Sequence, residues 1–547
     1  MKRYITLITA VAATLFNTYA QKDSLNAVVQ VENEYAPVVI KAKKISSTPH
    51  IEMPDENNQL DIVFSQNGKP YGYFLSERDV KEVLPKQENV APGYARFGYG
   101  IGNNVDAVLA YSLEPGKNDK LKLSATADGY KTDIDGIVSK WNSRLYNSRI
   151  AADYKYFFDK FTIGVDGEIS NIVFNYQPGL TTTDINDKQH SNRYRIGASF
   201  ESQNISALSY DAKIGYTANT RKYSAEKALR ITENHITAKG NIAYELPYEN
   251  FERIGARISV DGLIYNKALK PKGASQYTNY AMIGINPYTT LRFNGWTIRA
   301  GAHLDMLTAN GSFLAVAPDC NIEGQLTDNI SLNVSVTGGR SLNTFEAMEQ
   351  KSPYWNYTPG DKQLTATYRI ADFNTNLRLS YAPFTISIFA GYAYTKDDLL
   401  PYVTSDEQVY TMFTNSISRN AYAGAMAGYD YNGWFSFKGD IRYNNWSCTG
   451  DNYLIMFKPM LTANLKAQAR LFDTLYTTLG YTFTKYTEGG GIDIDNMNSF
   501  NVKVDYRFHK EISAYLQGIN LLDSNYPAYP GYYHQGIAII AGVSVNF

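Results

Sequence analysis

The last twelve residues of the chain, 536–547, alternate between two kinds of side chain. One set is apolar: Ile537, Ile539, Ala541, Val543, Val545 and Phe547. The residues between them are mostly small or polar. Because successive side chains of a strand point to opposite sides, the segment predicts a strand with one apolar face. A soluble protein rarely ends on an exposed phenylalanine, whereas the closing strand of a barrel in a lipid bilayer gives Phe547 an apolar environment.

The same two-residue period recurs upstream, from about Gly93 onward. The clearest segments are 120–128, 149–156, 257–261, 438–443 and 501–508. In each of them one face carries charged or polar residues, with both signs in close alternation, and the other face is mostly apolar. A water-filled lumen lined by paired charges, with lipid outside, accounts for this pattern better than the outer face of a soluble sandwich does.

The connections between these segments are alternately short and long. The short ones are 159–160, 294–295, 327–329, 432–433, 473–474 and 510–511. The long ones include 131–142, 177–191, 219–232, 267–277, 341–361 and 486–498. Short turns at one end and long loops at the other are typical of outer-membrane barrels. The sequence therefore predicts an all-β transmembrane antiparallel β-barrel of about 22 strands over residues 92–547, with both barrel ends on the periplasmic side.

The start of the chain predicts export. Lys2 and Arg3 precede a short apolar run at 5–16, and Thr18-Tyr19-Ala20 offers a small-x-small cleavage site. Residues 1–20 are therefore interpreted as a signal peptide. The run is shorter than the roughly 20 residues that a membrane-spanning helix needs, and no later run approaches that length. Export without such a helix, together with the barrel pattern, predicts the outer membrane of a Gram-negative bacterium.

The composition limits the classes of partner that we expect. Lys and Arg number 52 against 53 Asp and Glu, so no strong charge points to nucleic acid. The 45 tyrosines suit a membrane–water boundary, where an apolar ring and a hydroxyl are both accommodated. Residues 21–91 are punctuated by proline and lack the barrel pattern, so we expect a small periplasmic or lumenal segment there.

No pattern for catalysis or metal binding is found. The six histidines show no zinc-like spacing, and neither a nucleophile elbow nor a phosphate loop occurs. We therefore expect no enzyme activity, no metal and no cofactor. Cys320 and Cys448 fall on segments that are not predicted neighbours, so a disulfide between them is not expected.

Two aromatic groups have two interpretations. They are Tyr354, Trp355 and Tyr357 in one long loop, and Tyr526, Tyr529, Tyr532 and Tyr533 near the final loop. Such rings could stack on a sugar or a planar ligand. Alternatively, they belong to the outward aromatic girdle that a barrel of this size requires, and the girdle is the favoured interpretation.

The stretch Asn520-Leu521-Leu522-Asp523-Ser524-Asn525-Tyr526 resembles the Asn-Leu-Phe-Asp-x-x-Tyr motif that precedes the last strand of TonB-dependent receptors. The terminal Phe547 is similar to the signal read by the barrel-assembly machinery. Leu522 replaces the usual phenylalanine. The resemblance implies an outer-membrane barrel over 92–547 whose motif lies on the penultimate strand.

The N-terminal region departs from that family. Its members carry a plug of well over a hundred residues, whereas only 21–91 precede the barrel here. Segment 25–31 faintly resembles a TonB-contacting box, so Val28 and Val29 are the expected contacts, by strand addition. An ordinary periplasmic strand is the favoured interpretation of that segment.

A 22-stranded barrel has a wide lumen that transporters keep plugged. We therefore expect residues 21–91, a partner protein or folded-in loops to occlude it. The leading hypothesis is a component of uptake across the outer membrane that works with TonB or another periplasmic or surface partner. The alternative is a structural or scaffolding barrel, porin-like or partner-docking, without TonB-driven transport. Bilayer lipid and the assembly machinery are expected partners in both cases.

Overall fold

The computed structural model describes residues 92–547 except for 182–187, 203–206, 223–229, 249, 267–276, 310, 357–362, 406–407 and 488–493. The predictions for the signal peptide, for residues 21–91 and for Val28 and Val29 lie outside the described residues. Tyr357 lies outside them as well.

Twenty-two strands form one antiparallel sheet that closes on itself, because β1 pairs with β24. This confirms the predicted barrel and its strand number. The barrel strands are β1 (Gly93–Gly100), β2 (Asn104–Leu113), β3 (Asp119–Ile134), β4 (Trp141–Phe157), β5 (Phe161–Phe174), β6 (Gln189–Ser202), β7 (Leu208–Lys222), β8 (Arg230–Tyr248), β9 (Phe251–Tyr265), β10 (Tyr280–Phe293), β11 (Trp296–Leu307), β12 (Leu314–Thr327), β13 (Ile330–Leu342), β14 (Ala366–Tyr381), β15 (Phe384–Thr404), β16 (Tyr410–Tyr431), β17 (Phe435–Cys448), β18 (Pro459–Leu471), β19 (Leu475–Tyr486), β20 (Met497–Arg507), β21 (Ile512–Ile519) and β24 (Ala538–Asn546).

Three small elements lie in the loops: the hairpin of β22 (Pro527–Tyr529) and β23 (Tyr532–Tyr533), the helix α1 (Phe345–Lys351) and a 3-10 helix at Asn452–Ile455. Among the described residues, no helix has the length and hydrophobicity needed to cross a membrane.

The seam of the barrel joins the two ends of the described chain. The backbone N–H of Gly93 donates to the carbonyl of Phe547 at 2.8 Å, and the reverse bond measures 2.9 Å. The Phe547 ring stacks on Tyr111 with 5.9 Å between centroids. Ile539 and Val543 face outward while Ala538 and Ile540 are buried, so the apolar outer face predicted for the last strand is present.

The strand ends joined by the six predicted short turns lie at one end of the barrel, and the strand ends that flank the six predicted long loops lie at the other. We call these the short-turn end and the mouth. At the short-turn end, Asn294 and Gly295 have φ of 48° and 83°, and Asn432 and Gly433 have 48° and 69°. Asn-Gly pairs adopt such left-handed values readily, and these turns match the twist of the flanking strands.

The two faces of the sheet differ as predicted. In β17, Ile441 and Tyr443 are about half exposed to the outside, whereas Arg442 between them is buried on the lumen side. On β20, Lys503 is buried, and its ammonium lies 3.1 Å from Asp505. Charged residues thus line the lumen in pairs, and apolar residues face the surroundings.

Cys320 and Cys448 are both free. They lie on β12 and β17, which are not neighbours in the sheet.

Candidate functional site

Loops fold back into the lumen at the mouth. Four segments take part: 175–181 after β5, 343–356 after β13, 408–409 before β16, and 520–537 between β21 and β24. We call them together the mouth layer. Phe345, Met348 and Trp355 of this layer pack in one cluster with residues of β8, β9, β15 and β16. Because those strands belong to different parts of the wall, the layer spans the lumen.

Backbone hydrogen bonds join the segments to one another. The N–H of Val409 donates to the carbonyl of Gln177 at 3.0 Å. The N–H of Asn356 donates to the carbonyl of Thr411 at 3.0 Å, and the N–H of Thr411 donates to that of Tyr354 at 3.2 Å. These bonds pair backbone groups of different segments, as buried loops require, and so hold the segments together.

The mouth layer lies above the apolar belt of the barrel. Outward-facing rings collect beside the short turns, among them Tyr248, Phe293, Tyr381, Phe384, Trp434 and Phe472. A tilted strand crosses a hydrocarbon core in about 9–11 residues, whereas β16 has 22 residues. Since the aromatic belt lies at the short-turn end, the excess length of β16 projects at the mouth.

Helix α1 is short but firmly placed. The Thr344 hydroxyl accepts from the N–H of Ala347 at 3.1 Å, which caps the helix. The Glu233 carboxylate of β8 accepts from the N–H of Phe345 at 3.0 Å and from the Tyr265 hydroxyl at 2.9 Å. The wall of the barrel thus supplies acceptors for the first turn of the helix.

The other side of α1 meets a row of arginines on the lumen face of β4, β6 and β7. On β7 and β6, from the mouth downward, these are Arg221, Arg193 and Arg195; Arg149 on β4 is in register with Arg193 through Ser170, and we call the four residues the arginine ladder. Glu349 of α1 lies 3.1 Å from Arg193 and 3.6 Å from Arg221.

One helical turn before Glu349, Glu346 contacts the next step of the ladder. Its carboxylate receives two hydrogen bonds from Arg195 Nη2, at 2.8 and 3.0 Å, and lies 3.4 Å from Arg193. Glu168 on β5, between β4 and β6, pairs with Arg149 at 2.8 Å. Two carboxylates of the loop and one of the wall therefore face four guanidinium groups.

Arg221 is the most enclosed member of the ladder, with 3% of its side chain exposed. Its guanidinium lies over the rings of Trp355 and Phe174, at 4.4 and 4.9 Å from their centroids. Its Nη2 donates to the carbonyl of Trp355 at 2.8 Å and also to that of Pro353. Cation–π contact and charge-assisted hydrogen bonds of this kind are strong when they are shielded from water.

The aromatic residues singled out in the sequence lie inside the mouth layer. Tyr354 stacks on Tyr532 with 3.6 Å between centroids and 5° between planes. Tyr529 meets Tyr354 edge-on at 5.8 Å. Tyr354, Trp355, Tyr526 and Tyr532 are each at most 2% exposed, so they do not line the outward face where a girdle would lie. Contact of these rings with a ligand stays a prediction.

Burial also sets the ionisation of these groups. It raises the pKa of the Tyr354 and Tyr532 hydroxyls well above the usual value, so both stay neutral. Tyr526 stacks on His534 with 5.0 Å between centroids. Burial lowers the pKa of His534 from 6.5 to about 4, so the imidazole is neutral at pH 7.

The motif at 520–526 shapes the turn into this layer. Asn520 begins it directly after β21 and has a φ of 50°. Its side-chain amide donates to the carbonyls of Ser524 and Gln535 at 3.0 and 3.2 Å. The Asp523 carboxylate accepts from the N–H of Ile537 at 3.2 Å. The motif therefore ties the end of β21 to the start of the final strand.

A further buried pair fixes the loop between β17 and β18. The Lys458 ammonium lies 3.3 Å from the Asp398 carboxylate, and both side chains are at most 5% exposed. The Ser418 hydroxyl donates to the same carboxylate at 2.7 Å. The Lys458 ammonium also lies 4.6 Å from the centre of the Trp446 ring.

The sequence interpretation did not identify the arginine ladder or its glutamates. Two signals for them were present. The ladder residues fall on the charged face of period-2 segments, and Thr344 precedes a run of strong helix formers inside a long loop.

The comparisons bear on the fold. No protein-family model and no curated protein matches the chain. Among solved structures, the FrpB iron transporter from Neisseria meningitidis is 12% identical with a TM-score of 0.64, over 86% of this chain and 83% of its own. The siderophore receptor PirA from Acinetobacter baumannii is 12% identical with a TM-score of 0.64, over 84% and 81%.

The ferric-catecholate import receptor Fiu from E. coli K12 is 9% identical with a TM-score of 0.60, over 84% and 82% of the two chains. These neighbours are named as transporters or receptors, and at such identities the likeness is one of fold. The described part of this chain therefore has the 22-stranded barrel fold of the TonB-dependent receptors.

Proposed function

We propose that the protein is a component of substrate uptake across the outer membrane, with its mouth facing the outside of the cell. The observation that carries the proposal is the mouth layer. A general diffusion pore needs an unobstructed lumen, whereas here four loop segments cross the lumen and bond to one another. A wide barrel that is closed by its own loops suits a receptor that admits a substrate only when one binds.

The charge distribution supports the same proposal. The loop segment 343–356 is held to the wall by ion pairs of Glu346 and Glu349, which a charged substrate can exchange for its own contacts. Energy for transport would come from the periplasmic side. We propose TonB contact through Val28 and Val29, by addition of a strand to the partner.

Uptake can be measured without knowing the substrate. A deletion strain is complemented with the native chain or with a Val28→Pro/Val29→Pro variant, and depletion of nutrients from the medium is followed by mass spectrometry. We expect the native chain to restore depletion of at least one compound and the double variant to fail. Val38→Pro/Val39→Pro is the matched control, because it makes the same change in a second Val-Val pair of the same N-terminal segment, and it should restore depletion like the native chain.

A second candidate function is a scaffolding barrel that passes no substrate. The close packing of three tyrosines in the mouth layer favours this function. Tyr354 stacks on Tyr532 and meets Tyr529 edge-on, so no space is left between these rings for a ligand. If the native chain restores no depletion although it is present in the outer membrane at normal level, the uptake proposal fails. Recovery of an envelope protein with residues 21–91 would then support the scaffold.

A further inference from the structure

The arginine ladder carries more positive charge than the wall of the barrel balances. Arg149 has Glu168 as its partner on the wall, at 2.8 Å, and Glu168 lies 3.7 Å from Arg195. Among the described residues, the other carboxylates within 4 Å of the ladder belong to α1, which is part of a loop. The wall carboxylate of Asp166, which also acts on Arg195, is itself paired with Lys213 at 2.9 Å. When α1 leaves, the ladder keeps four guanidinium groups and one carboxylate.

We infer that the arginine ladder is a binding site for a substrate that carries at least two carboxylate groups, and that Glu346 and Glu349 occupy it in the closed state as built-in substitutes. This inference rests on the proposed uptake function and specifies the substrate class of the same mouth. The planar guanidinium can hold a carboxylate through several charge-assisted hydrogen bonds, and Arg195 Nη2 already donates to both carboxylate oxygens of Glu346.

The spacing defines the ligand further. Glu346 and Glu349 are three residues apart on one helix, which places their side chains about 5–6 Å apart at the Cβ atoms. A small polycarboxylate such as citrate can span that separation. A single small anion such as inorganic phosphate can occupy only one of the two positions.

Because Arg193 and Arg221 are largely buried, their glutamate partners must be replaced by another anion when α1 leaves. Arg193 and Arg221 have 16% and 3% of their side chains exposed, and a buried guanidinium without a counter-charge is strongly unfavourable. Within the described part of the chain, the Nε of Arg221 is also buried without a hydrogen-bond partner, and its Nη1 makes only the 3.6 Å ion pair with Glu349. The ladder therefore has unused donors, and α1 leaves readily only when another anion replaces its glutamates.

The test uses the purified full-length protein in detergent, with citrate as the probe and calorimetry as the measurement. The Glu346→Gln/Glu349→Gln variant removes the built-in competitor, so we expect it to bind citrate about tenfold or more tightly than the native chain. The Arg193→Gln/Arg195→Gln variant is expected to bind about tenfold or more weakly. Glu245→Gln, an exposed carboxylate far from the ladder, is the matched control and should leave affinity unchanged.

Three results would overturn the inference: equal citrate affinity of the native chain and the Glu346→Gln/Glu349→Gln variant, citrate binding that survives in the arginine variant, or phosphate binding as tight as citrate binding. Heat-modifiable migration of each variant on gels confirms that the barrel is folded. Hydrogen exchange gives a second measurement. Citrate should increase exchange of the amides at 345–351 in the native chain, and unchanged exchange at saturation would refute displacement of α1.

The outcome is separable from that of the uptake experiment. Citrate binding with the expected variant pattern but no depletion of any nutrient would refute the uptake function and leave the ladder as an anion site. Nutrient depletion without citrate binding would refute the polycarboxylate site and leave the uptake function standing.

Discussion

The stacked pair of Tyr354 and Tyr532 offers the most direct test of how the mouth is held closed. Tyr354 is 1% exposed, and its ring contacts Phe174, Tyr529 and Tyr532 from three directions. Replacing a buried aromatic side chain by alanine costs about 3–5 kcal/mol, part of it from the cavity that remains. In Tyr354→Ala this loss falls on docking of the mouth layer, because Tyr354 belongs to a loop segment and its ring joins that segment to β3, β4 and β5 and to the final loop.

Even the smaller of these free-energy losses strongly increases opening of the mouth layer. About 1.4 kcal/mol corresponds to a tenfold change in an equilibrium, so a loss of about 3 kcal/mol raises the open fraction of the layer roughly a hundredfold. The amides of Asn356, Val409 and Thr411 report this opening, since their hydrogen bonds join separate segments. Hydrogen exchange followed by mass spectrometry should therefore show about a hundredfold faster exchange at these positions, with exchange in the short-turn halves of β3 and β4 unchanged.

The control is Tyr248→Ala, which removes a tyrosine that is 67% exposed at the short-turn end. It should leave exchange in the mouth layer at the native rate. If Tyr354→Ala shows native exchange at all three amides while its barrel remains folded, the aromatic stack does not hold the mouth closed, and the reasoning is refuted.

Three further predictions concern other parts of the molecule. Burial lowers the pKa of His534 from 6.5 to about 4, so the closed layer binds the neutral imidazole. Its stabilisation is complete above pH 6.5 and decreases as the pH falls, and the loss at pH 5 is about 2 kcal/mol. Exchange of the β22–β23 hairpin, corrected for the intrinsic effect of pH, should rise about 30-fold, and His534→Phe should abolish this rise. Asp398→Asn removes the carboxylate that lies 3.3 Å from the buried Lys458 ammonium, at a cost of about 3 kcal/mol, so protease cleavage at 449–458 should accelerate. Adding Lys458→Met should reverse most of the effect, and native cleavage of Asp398→Asn would contradict this account. Deleting Phe547 should reduce the heat-modifiable, outer-membrane fraction of the protein several-fold. Leu522→Ala, which changes an exposed apolar residue elsewhere, should leave that fraction unchanged. Equal fractions for the deletion and the native chain would argue against an assembly signal at the terminus.

The barrel could be predicted from the sequence because its rules are local. Ile441, Arg442 and Tyr443 show within three positions which face meets the lumen, and the Asn-Gly pair at 294–295 marks a tight turn by itself. Repetition of such signals along the chain gave the strand number and sorted the turns and loops to opposite ends.

The mouth layer could not be predicted in this way. Arg195 and Glu346 are 151 positions apart, and nothing in the local pattern around either residue specifies the other. Tyr354 posed a different difficulty, because an exposed belt and a buried cluster both favour tyrosine. Only the path of loop 343–356 into the lumen decides between these environments, and that path depends on contacts with several strands at once.

The seam of the barrel has a consequence for the order of events during biogenesis. The Gln177 N–H donates to the Tyr532 hydroxyl at 3.3 Å across 355 positions of sequence, and the amide groups of Asn104 and Gln535 exchange hydrogen bonds of 2.9 and 3.0 Å directly above the β1–β24 junction. These partners come within reach only after the first and last strands have met in register. The mouth layer therefore forms late, after the barrel has closed in register, and a barrel shifted at its seam would leave these loop segments undocked.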